Sequence, residues 1–226
     1  MKSINFAVLC VLLTASLSAQ ADNPQPWKEG VNYFLIQPAQ PTSLPNGKVE
    51  VTEVFSYACP YCNVLLPSML KLRQTLPRNA VIDYLPAGFN PSEDWPMFQL
   101  AYCTAESLGV VEQTHEAMFN AVWKTGELAV LDPSTKALKS HMPTITDAAR
   151  FYNRKAGVPV AKFLDAAKSF DVNRRVGNAE SLIERYRISG TPSIIVNGKY
   201  RLDVSSAGGY DPLVQLVIWL VAKESK

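Results

Sequence analysis

Cysteine is scarce in this chain, with four in 226 residues, and histidine is scarcer, with two. A disulfide-stapled scaffold needs a denser, even set of cysteines, so the chain must be held by a buried core, for which it is long enough. A zinc site needs about four ligands. There is no second Cys-x-x-Cys, and His115 and His141 stand alone, which argues equally against a cysteine hydrolase. Charge of neither sign is in excess: 22 basic against 20 acidic residues leave a formal +2. That excludes the basic footprint of a nucleic-acid binder or a membrane-surface protein. Beyond the first residues no apolar run is long enough to span a bilayer, and repeats and low-complexity tracts are absent.

What is there begins with Met1-Lys2, an apolar run from Ile4 to Leu17, and Ala19-Gln20-Ala21 before Asp22. A positive start, a short apolar middle and small residues around a cleavage point make residues 1–21 a removable signal peptide. Cys10 leaves with it. Cys59, Cys62 and Cys103 remain, in a product expected in a compartment that permits disulfides.

An arm rich in Pro and polar residues runs from Asp22 to Leu44 and carries one short edge strand at Tyr33–Ile36. Val49–Tyr57 then reads as a buried strand, Pro60–Leu76 as a helix stopped by Pro77, and Ala80–Leu85 as a second strand. Such a β-α-β unit implies parallel strands with a right-handed crossover. Helical periodicity follows at Met97–Leu108, Val111–Val122, Thr146–Ala156 and Val160–Ser169, and again at Val172–Tyr186. Strand signals return in Ser193–Val196 and Lys199–Leu202, separated by Asn197-Gly198, a strong hairpin signal. A helix at Pro212–Lys223 closes the chain. The expected class is α/β, ordered β-α-β, helical insertion, α-β-β-α.

Cys59-Pro60-Tyr61-Cys62 sits where a strand's carboxyl end meets a helix's amino end. Free N–H groups and the dipole of the first turn favour a thiolate at Cys59, while Cys62, nearly a turn on, should be more buried and serve as the resolving thiol. Stabilising the reduced form makes the disulfide a better oxidant. A stable, inert disulfide is the plainer alternative. Cys103, on an insertion helix, reads as a buried structural thiol, and Trp95, Trp123 and Trp219 read as core.

Phe55-Ser56-Tyr57-Ala58-Cys59-Pro60-Tyr61-Cys62, the helical insertion, and Gly190-Thr191-Pro192-Ser193 followed by Val196-Asn197-Gly198-Lys199-Tyr200 resemble the DsbA family of thiol:disulfide oxidoreductases. The resemblance covers nearly the whole mature chain. It implies a thioredoxin-like fold with an inserted helical domain: residues 22–92 and 170–226 form the thioredoxin-like part and 93–169 the insertion. It also implies a periplasmic, cofactor-free, monomeric enzyme that oxidises reduced or unfolded exported proteins. A quinone-linked membrane partner of the DsbB type would reoxidise it.

By the same resemblance Thr191-Pro192 is a cis-proline loop facing the dithiol, where an extended substrate pairs with the backbone; the dipeptide alone would read as an ordinary trans turn. Glu53 matches an acid kept beneath the active site, suited to relaying the Cys62 proton if buried; a half-exposed strand residue is the plainer reading. A basic residue often accompanies that acid, and the expected position for it here holds Asp83. Tyr61 departs from the histidine of the best-known members and brings no positive charge, which predicts a milder oxidant. A reductase or isomerase on the same scaffold, or a holdase with an inert disulfide, are the alternative functions.

Overall fold

The computed structural model describes residues 27–42, 44–45 and 47–225; the expected signal peptide and Cys10 lie outside them. The elements are β1 (Phe34–Leu35), β2 (Val49–Phe55), α1 (Pro60–Thr75), β3 (Ala80–Pro86), α2 (Trp95–Ser107), α3 (Val111–Trp123), α4 (Ile145–Ala156), α5 (Val160–Ala167), α6 (Phe170–Arg185), β4 (Ser193–Val196), β5 (Tyr200–Asp203), α7 (Val204–Ala207) and α8 (Tyr210–Glu224). One mixed sheet runs β1-β5-β4-β2-β3, with β2 and β3 parallel and the other pairings antiparallel.

All seven residues of β2 are buried, as expected of a strand with neighbours on both edges and helices on both faces. Val49 and Val51 point to one face and pack with Leu65, Met69 and Leu72 of α1 and with Leu216, Val217 and Leu220 of α8. Val54 points to the other face and joins Leu85, Ile195 and the insertion helices. Burying each such aliphatic side chain contributes about 1.5–3 kcal/mol.

Local chemistry explains the boundaries. Pro60 opens α1, where its missing N–H costs nothing, and Pro67 lies inside the same helix on its exposed side. α4 starts in a reciprocal Thr144/Asp147 capping box and ends at Gly157 with φ +68°. In the β4–β5 turn both Asn197 (φ 54°) and Gly198 (φ 64°) are left-handed, as the Asn-Gly signal requires.

Departures from expectation include two boundaries and one unforeseen short helix. β2 ends at Phe55 instead of Tyr57, because Ser56 takes the chain off the ladder: its carbonyl accepts the Cys59 N–H at 3.1 Å and its hydroxyl the Ala58 N–H at 3.3 Å. α6 starts at Phe170, capped by the Ser169 hydroxyl. The four-residue α7, held by an Asp203/Ser206 capping box, is too short to leave a periodic pattern.

Candidate active site

Cys59 is the N-cap of α1, with extended backbone, and its Sγ accepts the Cys62 N–H at 3.4 Å. Across from it lies the loop before β4. The Thr191–Pro192 peptide is cis, and the Cys59 thiol reaches the Thr191 carbonyl at 3.5 Å. The sequence therefore brings together two segments more than a hundred residues apart. Pro192 is buried, whereas Pro60 and Tyr61 are exposed.

The two thiols are driven apart. The Cys62 thiol, donating to the Cys59 sulfur, is the largest influence holding Cys59 down at about 6; burial opposes it, and the Thr191 side chain and the N–H groups of Cys62 and Tyr61 add to it. The helix start thus contributes as the sequence suggests, but the partner thiol contributes more. Burial first, then the hydrogen bond to Cys59 and the negative charges of Cys59 and Glu53, push Cys62 well above the ordinary thiol range. Cys103 is buried on α2, and burial with the nearby Glu106 charge pushes it up to about 12.

Glu53 is 1 % exposed, and neither carboxylate oxygen has a hydrogen-bond partner. By strand alternation it shares the face of Val51, beneath α1. Burial, then the Cys59 charge, push its carboxyl up to about 8, so near neutrality it holds a proton beside the dithiol. The residue opposite it on β3 is Tyr84. This corrects the sequence expectation, which looked to Asp83: the parallel register puts Asp83 opposite Thr52, with its side chain on the other face. Tyr84 is neutral and accepts a hydrogen bond from Arg73 of α1 at 3.3 Å. Thus the acid has no cation across the strand pair.

An open cleft of about 540 Å³ runs from Tyr61 past Gly190–Ser193 to Asp203, Ser205 and Tyr210. Among its lining is Thr191, whose carbonyl faces the Cys59 sulfur. Among the described residues no group of three or more His, Cys, Asp or Glu side chains could hold a metal ion.

Sequence reading missed the residues behind the site. Trp123, expected to be plain core, donates its indole N–H to the Tyr57 carbonyl at 2.8 Å. His115 Nδ1 and the Tyr57 hydroxyl share a 3.0 Å hydrogen bond. Both contacts join positions far apart in the chain, and no local pattern announces them.

Comparison with known proteins agrees with this geometry. The family model described as Thioredoxin matches residues 44–214. The thiol:disulfide interchange protein DsbA of Pseudomonas aeruginosa is 32% identical over 220 residues, covering 97% of this chain and 96% of the relative. That of Azotobacter vinelandii is 32% identical over 226 residues, covering 99% and 97%. Among solved structures, Pseudomonas aeruginosa DsbA superposes with a TM-score of 0.72 at 33% identity, over 88% of this chain and 94% of that one. The oxidoreductase DsbA from Xylella fastidiosa gives 0.74 at 27% identity, over 86% and 96%. On sequence across nearly its whole length and on a thioredoxin-like fold with inserted helices, the chain belongs to the DsbA family.

Proposed function

We propose that the chain oxidises pairs of cysteines in exported polypeptides through Cys59 and Cys62. The observation that carries this reading is the pairing of a low-pKa thiol at the start of α1 with a peptide-sized cleft whose loop backbone lies 3.5 Å from its sulfur.

In the oxidised enzyme a substrate thiolate attacks Cys59 Sγ, the Cys59–Cys62 bond breaks, and Cys62 leaves as a thiolate. Glu53, protonated at neutral pH, gives its proton to Cys62 and recovers it from solvent. A second substrate thiolate then attacks the substrate's own sulfur in the mixed disulfide and expels Cys59 as a stabilised thiolate. The substrate gains a disulfide and the enzyme holds the two electrons. Thr191 and Pro192 align the substrate strand, while Pro60 and Tyr61 shape the first turn of the helix. At pH 7 a thiol at about 6 lies one decade below ambient pH. That stabilises the reduced form by about 1.4 kcal/mol, or about 30 mV for a two-electron couple.

The enzyme works as a monomer in the periplasm after its signal peptide is removed. Its reduced form returns its electrons to a quinone-linked membrane protein of the DsbB type. No described helix is long and apolar enough to cross a membrane. Residues 22–92 and 170–226 make the redox domain and 93–169 the inserted one.

Equilibrium titration against glutathione tests the direction of transfer. The expected result is a potential well above the about −270 mV of thioredoxin. A value as low as thioredoxin's would favour a reductase instead. Cys59→Ala should abolish thiol oxidation with folding intact; a variant that still protected unfolded chains as well as the parent would point to a holdase.

A further inference from the structure

The bonds from α3 to Tyr57 have no part in the exchange steps above. Tyr57 stands two residues before Cys59, in the turn that leads from β2 into α1, and is 1 % exposed. Its main chain is held by Trp123 at 2.8 Å and its side chain by His115 at 3.0 Å. The ring itself is wedged edge-on to Phe55 at 5.0 Å and to Phe119 at 5.1 Å. His115 in turn lies against Tyr84 at 4.0 Å between ring centres. Burial, then the Arg73 charge, hold the His115 imidazole down at about 3, so it stays neutral and its bond to Tyr57 does not change across the working pH range.

One residue, Ala58, separates the held carbonyl from Cys59. The Cys59 sulfur takes the Cys62 N–H at 3.4 Å and faces the Thr191 carbonyl at 3.5 Å. These contacts fall off steeply with distance and angle. A small rotation of the Tyr57 peptide would therefore be felt at the sulfur. We propose that His115 and Trp123 are positioning residues for the dithiol: by gripping Tyr57 through its carbonyl and its hydroxyl, α3 sets where the Cys59 sulfur stands relative to α1 and to Thr191. The inserted helices are then part of the redox tuning as well as of the fold. The inference rests on the redox reading of Cys59 and Cys62.

The test is the thiolate absorbance of the reduced protein followed against pH, with the glutathione equilibrium measured in parallel. Trp123→Phe and His115→Phe should each lower the thiolate-to-thiol ratio at fixed pH by roughly threefold or more, and His115→Gln, which keeps a polar partner for Tyr57, should recover part of the loss. Tyr57→Phe removes a single oxygen and carries the same expectation if the larger changes prevent folding. If the parent exchanges with glutathione while the variants melt earlier with unchanged thiolate titration and equilibrium, the bonds merely fasten α3 and the inference is overturned. A parent that fails to exchange at all overturns the redox reading and this inference with it.

Discussion

The backbone N–H of Cys62 donates to the sulfur of Cys59 at 3.4 Å, and the hydrogen bond between the two thiols moves them in opposite directions: against burial it holds Cys59 at about 6, and with burial it helps push Cys62 well above the ordinary range. An alkylating reagent at pH 7 should therefore label reduced Cys59 at least ~100-fold faster than Cys62 or Cys103, since only the thiolate reacts. Peptide mass spectrometry of briefly treated protein reads this directly. Comparable labelling at Cys59 and Cys62 would refute the asymmetry.

Glu53 couples the site to stability. Its carboxyl rises from 4.5 to about 8 on folding, so its contribution is fully present below about 4.5 and is lost as pH climbs through 8. Glu53→Gln removes the ionisation. The reduced variant should gain on the parent between pH 5 and pH 8, by on the order of 2–4 kcal/mol. Urea unfolding at several pH values measures the difference; curves that stay parallel would mean the carboxyl is solvated. The same variant should slow release of Cys62, because the leaving thiolate then lacks its proton donor.

Tyr61, 65 % exposed beside the dithiol, brings no charge. Tyr61→His would set a protonatable ring there, and the Cys59 thiolate should be favoured further. Against glutathione the pair should shift toward its reduced form, about 30 mV for each tenfold change. An unchanged equilibrium would show that this position does not tune the couple.

At the β4–β5 turn Gly198 has φ +64°, and an added Cβ would fall 2.1 Å from the Gln40 carbonyl oxygen. The arm lies over the turn here, with the Gln40 N–H bonded to the Gly198 carbonyl at 2.9 Å. Gly198→Ala should cost about 1–3 kcal/mol, from the left-handed backbone and from main chain that cannot move aside cheaply. Thermal unfolding would register it as a loss of several degrees; an unchanged midpoint would mean the arm moves away.

Periodicity and punctuation carried much of the fold. The β-α-β unit, the Asn197-Gly198 turn and the helical tract after β3 were legible because each is specified by neighbours in sequence. Cys59 and Cys62 were legible for the same reason. Tyr84 was not: which β3 residue faces Glu53 depends on register, and a shift of one residue exchanges Tyr84 for Asp83 and one sheet face for the other. His115 and Trp123 were missed because their partner lies 58 and 66 residues upstream, and each looks like ordinary core on its own helix.

The sheet is joined out of chain order. β2, α1 and β3 are neighbours along the chain, but Val51 must also find Val196 before β4 can lie beside β2. Closing a loop of that length is entropically slow compared with forming the local unit. Cys59 and Cys62 belong to the local unit, whereas Thr191 and the cleft arrive with the distant strand. The dithiol and the loop that faces it thus depend on contacts of very different sequence separation, and only the assembled sheet sets one against the other.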